Sequence, residues 1–267
     1  MRLARRAAYG VIRRMPVVAR RIFLDYELSA CRARLVRKFI DEFGSVVQAG
    51  PFGGMEILAE YSWGDGHLLP KLLGSYESEL HKWISKVLKR GYRTVLDVGC
   101  AEGYYTVGLA RASPKARVIG SDISSEARRI CRDNADRNGV SDRVELAGYV
   151  GPESMAEMLS AEGPSFVLLD CEGAEVDLLL PELIARMRNT DILIECHDFL
   201  DRGLTNTLYR RLLPTHSIER VDEGPRDPSQ FSFLNSFSGF ERMVAVCEFR
   251  REPMHWLFCT SRCSSPE

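Results

Sequence analysis

From Thr94 onward the chain alternates two patterns of apolar and polar residues. One is a short, nearly unbroken apolar run, as a strand buried on both faces requires. The other repeats apolar residues every three or four positions, as a helix with one face on a core requires. The pairs predicted are strand 94–99 with helix 104–112, strand 117–122 with helix 124–137, and strand 143–149 with helix 153–161. Strand 166–171 with helix 174–188 and strand 191–196 with helix 203–212 follow. Before them, Tyr76 to Arg90 has helical spacing through Leu80, Trp83, Ile84, Val87 and Leu88 and stops at Gly91. After them, His216 to Val221 reads as a sixth strand and His255 to Thr260 as a closing one, while Phe240 to Phe249 fits helix or strand. The expected fold class is α/β, a doubly wound, mostly parallel seven-stranded sheet covered on both faces.

Residues 1–45 read as basic helices broken near Pro16. Residues 50–74, rich in glycine and aromatics, read as an ordered loop or cap. With 267 residues, 45% of them hydrophobic, the chain can build one sizeable core plus an appendage. The expected division is a basic helical arm and substrate cap over 1–75 and a cofactor-binding domain over 76–267.

A net charge of −1 leaves no global field to recruit nucleic acid. Its distribution is uneven, however. Residues 1–40 hold eleven basic residues against two acids, a net +9, which leaves −10 for the rest. This arm suits a solvated face packed on the acidic body, a targeting segment, or peripheral contact with an anionic membrane surface through Val11, Ile12, Val17, Val18, Ile22 and Phe23. Arg13, Arg14, Arg20 and Arg21 interrupt the apolar runs, which argues against a signal-peptide core and a membrane span. Eight scattered cysteines without CxxC pairs read as reduced thiols, and the expected location is cytoplasmic.

The first strand leads into Asp97-Val-Gly99-Cys100-Ala101-Glu102-Gly103-Tyr104, the position where open α/β sheets bind nucleotide-like cofactors. A dinucleotide fingerprint needs three glycines around a pyrophosphate. Here only Gly99 and Gly103 are glycines, and Asp97 and Glu102 put negative charge where a diphosphate would lie. Such a loop suits a cationic cofactor without phosphate, and S-adenosylmethionine is one. Asp122, beside Ile123, ends the second strand about twenty residues on, where a carboxylate accepts ribose hydroxyls. The other reading of Asp122 is an acid capping the helix that starts near Ser124 and Ser125. Gly148, after the third strand, is placed at the adenine edge.

The fourth strand ends in Asp170-Cys171-Glu172-Gly173-Ala174-Glu175 and the fifth in Glu195-Cys196-His197-Asp198. Residues two apart in a strand share a face, so Asp170 with Glu172 and Glu195 with His197 converge if these strands are neighbours. A histidine among carboxylates serves as a general base, here with Glu195 or Asp198 orienting it. The same set suits a divalent cation, or acids that only cap the next helix. Cys100, Cys171 and Cys196 read as buried small residues rather than ligands. Trp63, Asp65 and His67 of the cap are candidates for lining a substrate pocket.

With Asp97-x-Gly-x-x-x-Gly103, Asp122 and Asp170 in this order, residues 76–260 resemble a class I S-adenosylmethionine-dependent methyltransferase with a Rossmann-like sheet. LDCEGAEVDLL followed by ILIECHD, with Tyr76-Glu77 ahead, is similar to the FkbM-type family. The resemblance implies methyl transfer to a hydroxyl of a sugar, glycan or natural product. It assigns Asp97, Gly99, Glu102, Gly103 and Asp122 to the cofactor, and Asp170, Glu172 and His197 to the acceptor. Cys100, Tyr104, Ile123, Gly148 and Asp170 complete the expected cofactor contacts, and no metal is assigned. Ala101 stands where many members carry glycine. The alternatives are a non-catalytic module of the same fold, a dinucleotide-dependent oxidoreductase lacking its middle glycine, and a nucleic-acid methyltransferase supported only by the basic arm.

Overall fold

The computed structural model describes residues 15–59, 67–159, 163–250 and 252–263. The alternation of patterns appears as a single sheet. Strands β1 (Thr94–Val98), β2 (Arg117–Ser121), β3 (Val144–Ala147), β4 (Ser165–Leu169) and β5 (Thr190–Cys196) pair in parallel. β6 (His216–Asp222) and β7 (His255–Ser261) join antiparallel, giving the order β3-β2-β1-β4-β5-β7-β6. β1, β4 and β5 are buried along their whole length, so their continuous apolar runs are what two covered faces demand.

Several boundaries move. The expected helix 174–188 is two short helices, Glu175–Leu178 and Pro181–Arg186. Pro181 cannot donate the amide that an unbroken helix needs, and it starts the second helix instead. Tyr76 to Arg90 begins as a 3-10 turn over Ser78–Leu80 and becomes α-helical only over His81–Arg90. The ambiguous 240–249 segment resolves into a helix, Gly239–Val246, whose start is set by a capping box between Ser238 and Glu241.

At the N-terminal side, helix Val17–Phe43 lies against the body through buried Leu35 and Phe39. Helix Leu68–Leu73 is buried throughout. Leu35, Phe39 and Leu72 share one apolar cluster with Trp83, Phe166 and Phe258, on one face of the sheet. Val17, Val18 and Ile22 are exposed. Among the described residues no helix is long and apolar enough to cross a membrane. Trp63 and Asp65 lie outside the described residues, as do Val11 and Ile12.

Candidate active site at the carboxyl edge of the sheet

Gly99 and Gly103 both have φ near +90°. A Cβ on Gly99 would stand 1.6 Å from the carbonyl oxygen of Asp170, and one on Gly103 would stand 2.5 Å from Cys131 Sγ. The protein's own packing therefore requires both glycines before any ligand is considered. Ala101 is also left-handed, at +46°, which explains why glycine suits that position. Gly99 and Cys100 amides donate to the Ser121 carbonyl at 2.8 and 2.9 Å. The Ala101 amide donates to Asp122 Oδ2 at 3.0 Å and the Ser124 amide to Asp122 Oδ1 at 2.8 Å. Asp122 thus ties the glycine loop to the start of helix Ser125–Arg137, and the bracing role sits beside the one expected for a ligand. Ile123 and Tyr149 are exposed, and Gly148 accepts from Ser121 Oγ through its carbonyl.

Four residues expected to contact the cofactor have buried side chains. Asp97 accepts from Thr106 Oγ1 at 2.6 Å, and burial pushes its carboxyl up to about 7. Cys100 packs against Cys131; their hydrogen bond and burial raise its thiol. Tyr104 joins Phe52, Tyr76 and Tyr105 in edge-to-face contacts. Glu102 forms a buried ion pair with Lys71, whose ammonium also lies over the Tyr76 ring at 4.7 Å. An acid in a glycine turn reads as a ligand in sequence because its buried cation is thirty-one residues away.

Of the acids and histidine expected to converge, Asp170, Glu172 and His197 do so just past the ends of β4 and β5, because the two strands are neighbours. The Asp170 amide donates to the Val98 carbonyl at 2.9 Å, which sets the cluster beside the glycine loop. His197 is buried, with Nε2 3.5 Å from Asp170 Oδ1 and 3.6 Å from Glu172 Oε2. Its Nδ1 lies 2.9 Å from Glu175 Oε1, which also accepts from the Cys171 and Gly173 amides at 3.3 Å. Burial lowers the imidazole, but the Glu175 hydrogen bond and the surrounding carboxylates outweigh it and hold His197 above its ordinary value. Burial alone would raise Glu175; the bonds from His197 and the backbone bring it below the usual range. Desolvation, then Glu77 and Glu172, push Asp170 up to about 8.

The expected orienting groups are corrected. Glu195 pairs with Arg250 at 2.5 Å, and Asp198 bonds Thr205 and lies 3.3 Å from His255. Glu175, not Glu195 or Asp198, orients His197. Arg250 also meets Glu77 at 2.5 Å and Glu248 at 3.1 Å, and Glu248 pairs with Arg226 at 2.6 Å. Glu77, itself left-handed at +45°, Tyr105, Asp170, Glu195 and Trp256 line a small cavity beside the cluster. Sequence reasoning missed this buried ionic network; its one signal was an acid directly after Tyr76, before an apolar helix. His67 bonds the Glu248 carbonyl at 2.9 Å and stacks near Tyr76, so it braces the cap.

Residues 95–175 match the family model described as a methyltransferase domain. The chain is 38% identical over 81 residues to ribosomal protein L11 methyltransferase of Escherichia coli (strain SMS-3-5 / SECEC), covering 30% of this chain and 26% of that protein. The same protein of Salmonella newport (strain SL254) gives the same identity over the same length. The chain thus spans about a quarter of the length of the curated relatives it matches. Similar solved structures include the O-methyltransferase TomG from Streptomyces achromogenes in complex with SAM, at 13% identity and a TM-score of 0.45, covering 88% of this chain and 90% of that one. Another is an O-methyltransferase from Bacillus cereus in complex with SAH, at 15% and 0.46, covering 86% and 90%. A third is an rRNA methylase from Streptococcus thermophilus, at 12% and 0.47, covering 68% and 96%. The match to the methyltransferase-domain model runs from Val95 to Glu175, through the first four strands of a sheet with a Rossmann-like α/β order.

Proposed function

We propose that this protein transfers the methyl group of S-adenosylmethionine to a hydroxyl oxygen of a sugar, glycan or other natural product. One observation carries the reading: a two-glycine loop and an acid–histidine cluster meet on one sheet edge, joined where Asp170 bonds Val98. The residues present fit the cofactor. Each carboxylate oxygen of Asp122 accepts one backbone amide and keeps lone pairs for the ribose hydroxyls. Exposed Ile123 and Tyr149 offer apolar surface to a planar base. When bound, S-adenosylmethionine supplies an electrophilic methyl carbon on a cationic sulfur.

The chain's own residues do the rest. Asp170, Glu172 and His197 hold the acceptor hydroxyl at the edge of the loop and draw off its proton as the oxygen turns nucleophile. Glu175 keeps the imidazole in place throughout. The run from Asp170 to Glu175, followed by Glu195 to Asp198, is what favours the FkbM type and with it a hydroxyl acceptor. Acceptor choice is assigned to the cap within residues 1–75.

Calorimetry with S-adenosylmethionine and NAD on the purified chain tests the cofactor. Binding of the first alone, weakened in Asp122→Ala, is the expected result, followed by mass-detected methylation in a panel of hydroxylated acceptors. A preference for NAD overturns the reading.

A further inference from the structure

The distances around His197 Nε2 fit a shared positive ion better than a hydrogen bond. At 3.5 and 3.6 Å, Asp170 Oδ1 and Glu172 Oε2 are almost equidistant from it, and both lie beyond the usual N–H···O length. An imidazolium N–H between two carboxylates would close on one of them, to about 2.8 Å. A neutral ring is no better satisfied: its Nδ1–H donates to Glu175, and the Nε2 lone pair of a side chain only 3% exposed is left facing the Asp170 and Glu172 carboxyl groups with neither at hydrogen-bond length.

We propose that Asp170 Oδ1, Glu172 Oε2 and His197 Nε2 hold a divalent cation of the Mg2+ or Mn2+ kind, its remaining positions open to water and to the acceptor oxygen. The cation's role in catalysis rests on the methyl-transfer reading; its binding does not. The three ligand atoms lie within 4.8 Å of one another, and Nε2 stands 3.5 and 3.6 Å from the two oxygens, separations that neighbouring donors on one ion with bonds of about 2.1 Å can take. Two carboxylates and one imidazole, with no thiolate, favour a hard or borderline ion over a soft one. Glu175, fully buried behind the ring, is the carboxylate partner that fixes the tautomer of a metal-bound histidine. Glu172 is on the open side of the cluster, its side chain 77% exposed, where an ion can arrive from solvent.

The cation lowers the pKa of the hydroxyl bound to it. With the ion bound, His197 is a ligand rather than the base, and the cluster draws off the hydroxyl proton through the cation: the proton leaves to water, an oxygen lone pair forms the new carbon–oxygen bond, and the carbon–sulfur pair stays on sulfur as a neutral thioether.

The test is a titration of the full chain, stripped with chelator, with Mn2+ and without cofactor, following the paramagnetic resonance of free Mn2+. One Mn2+ bound per chain is expected, displaced by Mg2+, with the dissociation constant raised at least tenfold in Glu172→Gln and in Asp170→Asn. Glu182→Gln, an exposed acid on helix Pro181–Arg186, leaves it unchanged. Glu172 is on an exposed turn, so Glu172→Gln still reports if Asp170→Asn fails to fold. No stoichiometric binding, binding indifferent to Glu172→Gln, or saturation by Zn2+ that Mg2+ cannot contest would each overturn the proposal. A chain that takes Mn2+ at these residues yet ignores S-adenosylmethionine upholds the ion site and overturns methyl transfer; the converse result overturns only the ion site.

Discussion

Glu175 Oε1 lies 2.9 Å from His197 Nδ1, and Glu175 is completely shielded from solvent. The same oxygen accepts two backbone amides of the turn that carries Asp170 and Glu172. One carboxylate therefore sets both the ring and the turn facing it. Glu175→Gln is expected to lower turnover about tenfold to a hundredfold. S-adenosylmethionine affinity should stay within a few-fold, because the cofactor loop is tied elsewhere. Steady-state kinetics beside calorimetry separate the two; equal losses in both would mean Glu175 supports the edge as a whole.

Asp122 joins the glycine loop to the start of helix Ser125–Arg137 through two backbone amides. Asp122→Ala should cost at least tenfold in S-adenosylmethionine affinity, since hydrogen bonds to a charged group are each worth about 1.5–3 kcal/mol. Calorimetry showing wild-type affinity would confine Asp122 to bracing.

Ala101 holds a left-handed backbone that costs an L-residue about 1–2 kcal/mol. Ala101→Gly is expected to raise unfolding stability by up to about 1 kcal/mol, because the more flexible unfolded chain takes back part of the relief. Gly99→Ala should do the opposite and severely, since its methyl would overlap the Asp170 carbonyl. Chemical denaturation of both variants checks the pair; a neutral Gly99→Ala would mean the loop stands further from β4.

Arg250 bonds Glu77, Glu195 and Glu248 in a buried setting. Arg250→Met leaves those carboxylates facing one another, and a loss of about 3–5 kcal/mol is expected. The double change Arg250→Met with Glu195→Gln should recover part of it. Denaturation of the single and double variants measures the coupling, and strict additivity would argue against a shared network.

Burial pushes the Asp97 carboxyl up to about 7 in the folded state, against an ordinary value of 3.8. Between those values the folded state keeps a proton that the unfolded chain releases, so stability falls as pH rises through the window and levels off above it. Asp97→Asn should flatten that slope and be relatively more stable at pH 8 than at pH 4. Melting curves across pH test this; parallel profiles would show that Asp97 ionises normally.

The sheet was legible because β1, β4 and β5 are buried on both faces and therefore show as unbroken apolar runs. The convergence of Asp170, Glu172 and His197 was legible from strand neighbourhood, although Glu172 reaches the cluster from a left-handed turn past β4 and not by strand alternation. Helix starts were less so, since Pro181 splits one helix without interrupting its apolar spacing. The roles of Glu102, Glu195 and Glu175 were hidden for another reason. Each acid sits where a ligand contact is plausible, and its actual partner is set by packing between distant segments: Lys71, Arg250 and His197. Local pattern carries no information on which cation a buried carboxylate will find.

β7, the final strand among the described residues, lies between β5 and β6 and covers the edge of β5. During synthesis, then, Arg250 and the strand after it leave the ribosome when every other part of the edge has already been waiting. Until they arrive, Glu77 and Glu195 have no counterion and β6 has no neighbour. A nascent chain halted before residue 250 is expected to present an open, acidic, unpaired sheet edge, so exposure to aggregation persists until β7 has emerged and paired.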